Sequence, residues 1–137
     1  MDKSAWVGKS TRVEKPWGYE IVFSGIQTLQ GKEVHIFKDK RTSLKYHTNK
    51  DEVLYLVSGR AKVEYAPEAW QHYSNVAIET SILEPGQYLA VQSSCLYRIT
   101  AEEDCVFLEI SSRSSGETIR VEDDYGRPTR SPKSKIS

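Results

Sequence analysis

The feature that most constrains this chain is a succession of short segments with strand character, each closed within a few residues by Gly, Pro or acidic turn signals. Residues 18–23 are rich in aromatic and β-branched side chains, and 33–37 alternate in part. Residues 52–57 form a compact apolar run that ends at Ser58-Gly59. Residues 61–65 alternate cleanly and stop at Pro67, and 78–83 run into Glu84-Pro85-Gly86. Segments 87–92, 96–100 and 105–111 complete the series. Short strands at this even spacing predict an all-β sandwich or closed barrel with little or no helix. The stretch 67–76 has room for one helical turn but reads better as an excursion within a hairpin.

The 137 residues fit one domain, expected over 13–127, with a flexible arm over 1–12 and a disordered tail over 128–137. Lys plus Arg and Asp plus Glu number 19 each, so the formal net charge is zero. A neutral chain has no global field to attract nucleic acid or an anionic membrane, and neither is an expected partner. No apolar run approaches the roughly 20 residues that span a bilayer. The N-terminus also lacks the apolar stretch of a secretory signal, so the expected location is the cytoplasm. A reducing compartment leaves Cys95 and Cys105 as free thiols. If their strands form a hairpin turning near Glu102 and Glu103, Cys95 lies opposite 109–110, beyond the roughly 7 Å reach of a disulfide.

Three stretches bear on function together. Pro16-Trp17-Gly18-Tyr19-Glu20 comes first. Ser43-Leu44-Lys45-Tyr46-His47 follows, with Glu52 five residues beyond the histidine and Gly59 after the next strand. Asp123-Asp124-Tyr125-Gly126-Arg127 comes last. In this order the chain resembles the cupin domain of type II mannose-6-phosphate isomerases and their single-domain relatives, over about 13–127. The resemblance implies a cupin-type double-stranded β-helix, a jelly-roll barrel, with a metal or sugar-phosphate site in its mouth. It offers His47 and Glu52 as ligands of a divalent metal (Zn, Mn, Fe or Ni), and Tyr125 and Arg127 as the closing tail. The chain also departs from the pattern. Asn49 stands where many cupins have a second histidine, Tyr97 where a later strand supplies another, and Lys45 where the family has Gln. With so few ligands, and an ammonium that would repel a divalent cation, the metal is expected to be absent or weakly held.

Strand alternation gives these residues a common direction. Ser43, Lys45 and His47 point one way and Leu44 and Tyr46 the other. If His47 faces the lumen, so do Lys45 and Ser43, and Glu52 can return to the same region. His47, Glu52 and Lys45 are therefore the catalytic candidates, and Ser43, Asn49, Tyr97 and Arg127 the candidates for holding a substrate. Without a metal, Glu52 is expected to pair with Lys45. Tyr97 reads equally as a ligand donor or as an aromatic plug of the barrel. His35 reads as a half-exposed strand residue, His72 as solvated, Trp17 as packing the barrel end, and Trp70 as covering an apolar patch or a dimer surface. Three roles remain open: a sugar-phosphate isomerase, a cupin that binds a small anion or carbohydrate without turnover, and a dimer-forming scaffold. The exposed edges of a jelly roll invite a homodimer.

Overall fold

The computed structural model describes residues 3–23, 25–112 and 115–130. Eleven strands build two antiparallel sheets. They are β1 (Thr11–Lys15), β2 (Gly18–Phe23), β3 (Leu29–Ile36), β4 (Leu44–His47), β5 (Glu52–Ser58) and β6 (Ala61–Ala66). The remainder are β7 (Glu79–Leu83), β8 (Tyr88–Val91), β9 (Leu96–Ala101), β10 (Cys105–Ser112) and β11 (Thr118–Glu122). The first sheet runs β1-β2-β3-β10-β5-β8 and the second β11-β4-β9-β6-β7, the crossed order of a jelly roll. Between the sheets, side chains of alternating strand positions meet in one core centred on Phe107, Leu56, Ile36, Val63 and Ile99.

The segment between β6 and β7 contains one 3-10 turn, Glu68–Gln71. It lays Trp70 over the outer face of the second sheet, against Leu44, Tyr46, Leu96 and Ile119. The Trp70 and Tyr46 rings meet edge to face at 5.4 Å, and Trp70 Nε1 donates to the Ser94 carbonyl at 3.0 Å. Trp70 thus covers an apolar patch. No helix among the described residues is long and apolar enough to cross a membrane.

The expected hairpin between the two cysteine-bearing strands does not form. β9 lies between β4 and β6, while β10 lies in the other sheet between β3 and β5. The turn at Glu102 and Glu103 instead carries the chain from one layer to the other, and their amides donate to the Arg60 carbonyl at 2.9 and 3.3 Å. Both thiols are free, for this reason rather than for a register offset within one hairpin. β1 begins at Thr11, within the segment read as an arm, and pairs along its whole length with β2. Of the tail read as disordered, 131–137 lie outside the described residues. Residues 128–130 run beside β11, where the Arg130 amide donates to the Arg120 carbonyl at 2.7 Å.

Candidate functional site

β4 positions the site. Its outward residues Leu44 and Tyr46 are locked beneath Trp70, so the period-2 alternation of a strand turns Ser43, Lys45 and His47 into the barrel. They line a cavity of about 130 Å3 that opens to solvent. An apolar cavity of about 150 Å3 holds a benzene ring, so this space suits a phosphate or carboxylate group with a few carbons attached.

The cavity wall carries six cationic side chains and three carboxylates. Glu20 on β2 takes Lys32 at 3.2 Å and Lys15 at 4.0 Å. Lys50, just before β5, lies 3.4 Å from Glu52 and 3.3 Å from Glu109 on β10. Arg127 donates to Asp123 through Nε and, at 2.7 Å, through Nη2. That guanidinium holds the Asp123 carboxyl down at about 2. Lys45 and Arg120 remain, and neither has an ion-pair partner among the described residues. They are direct cross-strand partners on β4 and β11, with both side chains on the cavity wall. Like charges opposite one another on a sheet repel; the charges of Glu52 and Glu109 favour the Lys45 ammonium, but neither forms an ion pair with it. Lys45 instead rests its ammonium over the Tyr97 ring, 4.4 Å from the centroid. Burial pulls the Lys45 amine down to about 8, and Arg120 adds to that shift. Burial and neighbouring Arg127 likewise lower the Arg120 guanidinium, whose Nε is buried without a hydrogen bond.

The floor of the cavity is a row of buried groups. His47 Nε2 stands 3.2 Å from Glu52 Oε1, and His47 Nδ1 is 2.9 Å from the Thr118 hydroxyl. Burial keeps the imidazole below its usual range despite Glu52. Burial also works against ionised Glu52, but His47 and Lys50 outweigh it and hold the carboxyl far below the ordinary carboxylate range. Glu109 is pushed up by burial and by the charge of Glu52. Tyr97 is buried, and burial together with Glu52 keeps its phenol well above the normal value.

The structure therefore brings together Ser43, Lys45, His47, Glu52, Tyr97 and Arg127. It does not bring in Asn49, which is exposed and donates to the Ser115 hydroxyl outside the cavity. It also corrects the expected pairing: Glu52 meets His47 and Lys50, not Lys45. His35 is half-buried away from the cavity, stacked on Tyr19 at 4.2 Å with Glu33 at its Nε2, and His72 is exposed. Trp17 is buried in the core and reaches the cavity wall. The sequence reading passed over Lys50, Glu109 and Arg120. Alternation points to two of them: Glu109 shares the inward parity of Cys105 and Phe107, and Arg120 opposes Ile119 and Val121, whereas Lys50 lies between strands.

Two crossed antiparallel sheets around one charged cavity define a cupin fold, and comparison with solved structures shows the same fold. KdgF from Halomonas sp. aligns with a TM-score of 0.63 at 19% identity, over 83% of this chain and 97% of that one. Oxalate decarboxylase of Bacillus subtilis, which has Mn(II) centres, aligns with a TM-score of 0.65 at 19% identity, over 80% of this chain. The vicilin of Solanum melongena, which holds different anionic ligands in structurally similar pockets, aligns with a TM-score of 0.57 at 14% identity, over 67% of this chain. This chain spans 29% of the decarboxylase and 25% of the vicilin. No protein-family model and no curated protein matches the sequence.

The residues do not fit a divalent metal. Catalytic zinc sites, for example, use about three protein ligands. Here no group of three or more His, Cys, Asp or Glu among the described residues could hold an ion. The nearest cation is already present as the Lys50 ammonium.

Proposed function

We propose that the barrel binds a small anionic ligand of the sugar-phosphate kind, in the cytoplasm and without a metal, and that the protein works as a homodimer. The observation that supports the binding reading is the Lys45–Arg120 pair. Two half-buried cations are cross-strand partners on β4 and β11, and neither has an ion-pair partner among the described residues. A phosphate or carboxylate between them would convert a repulsion into two charge-assisted contacts. Ser43 lies on the same wall and can donate its hydroxyl to the same group.

Binding without turnover is favoured over isomerisation by the state of His47. Both imidazole nitrogens are turned to the wall, Nε2 lying 3.2 Å from Glu52 Oε1 and Nδ1 2.9 Å from the Thr118 hydroxyl. Neither nitrogen is then left as a base facing the cavity. Thermal-shift and calorimetric titrations with mannose 6-phosphate, fructose 6-phosphate and glucose 6-phosphate test the reading, with the free sugars as controls. Saturable binding of the phosphates alone is expected, and no response to any of them removes the proposal. Proton NMR of the same mixtures reports turnover, and interconversion of mannose 6-phosphate and fructose 6-phosphate would establish the isomerase instead.

A further inference from the structure

Lys50 has a role that is independent of the ligand the cavity takes. Its two flanks are pinned. The Thr48 amide donates to the Glu117 carbonyl at 3.0 Å, and the Asp51 amide donates to the Ser112 hydroxyl at 3.0 Å, while Asp51 Oδ1 accepts from the Ser93 amide at 2.8 Å. The backbone therefore delivers the Lys50 side chain inward, where it is only 9% exposed. There it meets Glu52 and Glu109, whose side chains are 0% and 6% exposed. These carboxylates come from adjacent strands: Glu109 is registered opposite Leu54, and Glu52 is two residues away on the same inward face of β5. Buried carboxylates so placed need a shared counter-charge, because each alone is costly to desolvate.

We propose that Lys50 is a resident cation. Its ammonium stands in for a divalent metal ion at the bottom of the barrel, neutralises Glu52 and Glu109, and closes the cavity to added metal. Three contacts in series support this: His47 Nε2 to Glu52 Oε1 at 3.2 Å, Glu52 Oε2 to Lys50 Nζ at 3.4 Å, and Lys50 Nζ to Glu109 Oε2 at 3.3 Å. The ammonium thus sits at the one point between both carboxylates. A movement of about 1 Å by each carboxylate would bring its oxygen to the roughly 2.0–2.6 Å of a hard divalent cation placed at that point. Two carboxylate oxygens already converge on the point that the Lys50 ammonium occupies.

Manganese is the probe, read by loss of the free-ion paramagnetic resonance signal and by calorimetry on the full chain. The wild type is expected to show no saturable Mn2+ binding. Lys50→Ala is expected to take up one equivalent, at least tenfold more tightly than any residual wild-type binding, and Lys50→Ala with Glu109→Gln to lose it. Lys50→Arg, which keeps the charge, should behave as the wild type. One equivalent of Mn2+ on the wild type, abolished by Glu52→Gln, overturns the proposal. So does a folded Lys50→Ala that binds no better than the wild type. Should Lys50→Ala fold only poorly, refolding with and without Mn2+ decides: recovery that depends on Mn2+ supports the resident cation, and none overturns it.

Discussion

At the scale of single residues, the site is governed by which charges have partners. Lys45 lacks one, and its amine is lowered from the ordinary lysine value to about 8. A base whose folded pKa lies below its unfolded pKa binds its proton more readily when unfolded. Its ionisation therefore costs stability at neutral pH, and that cost disappears as the pH rises from about 8 through the unfolded lysine value of about 10.4. An anion seated beside Lys45 reverses the shift. Affinity for a sugar phosphate should hold up to about pH 8 and then fall, by at most about tenfold per pH unit. Calorimetry from pH 7 to 9.5 measures this. Lys45→Met should remove the pH dependence and weaken binding, while stabilising the unliganded protein by about 1 kcal/mol through loss of the repulsion with Arg120. A flat profile in the wild type would exclude Lys45 from the anion site. Arg120→Gln should weaken the same binding by about 10- to 100-fold, the worth of a hydrogen bond to a charged group. Asn49→Ala should leave it unchanged, since Asn49 faces Ser115 rather than the cavity.

At the scale of elements, β4 shows how a site inherits its direction from packing on the opposite face. Lys45 and His47 point inward because Leu44 and Tyr46 are held outward under Trp70. Trp70→Ala should therefore cost about 3–5 kcal/mol in urea denaturation, as removal of a buried aromatic does, and should weaken ligand binding although Trp70 never touches the cavity. A full loss of stability with intact affinity would show that β4 is fixed by its neighbours instead. Much of this element was legible in the sequence, because alternation over five residues needs no tertiary information. The rest was obscured for physical reasons. Charged residues default to the solvent face, which outweighs the alternation signal at Glu109 and Arg120, and Lys50 lies between strands where no alternation applies; their places became clear only with Glu52, Glu109 and Lys45 around them. The cysteine strands misled in another way. Neighbours in sequence usually pair, but a jelly roll passes consecutive strands between its sheets, and only the whole topology reveals that β9 and β10 belong to different layers.

At the scale of the molecule, zero net charge conceals a segregation: an excess of cations inside the barrel, and an apolar patch outside it. On the outer face of the first sheet, Val53, Tyr55 and Val57 on β5 are 40–48% exposed, beside Tyr88 on β8 and Ile110 on β10 at 62% and 61%. The register joins them, since Tyr55 faces Tyr88 and Val53 faces Ile110. Alternation explains why they are outside: Leu54 and Leu56 take the inward positions of the same strand. A contiguous patch of this kind on a strand-rich surface is usually covered, and a second copy is the simplest self-complementary cover. Light scattering on the purified protein should give twice the chain mass of 15.6 kDa. Val53→Lys with Ile110→Lys should halve that value while leaving the far-ultraviolet circular dichroism and the sugar-phosphate affinity unchanged, because neither residue lines the cavity. A wild type that stays monomeric at tens of micromolar would leave the patch as plain surface and the barrel as a complete single-chain binder.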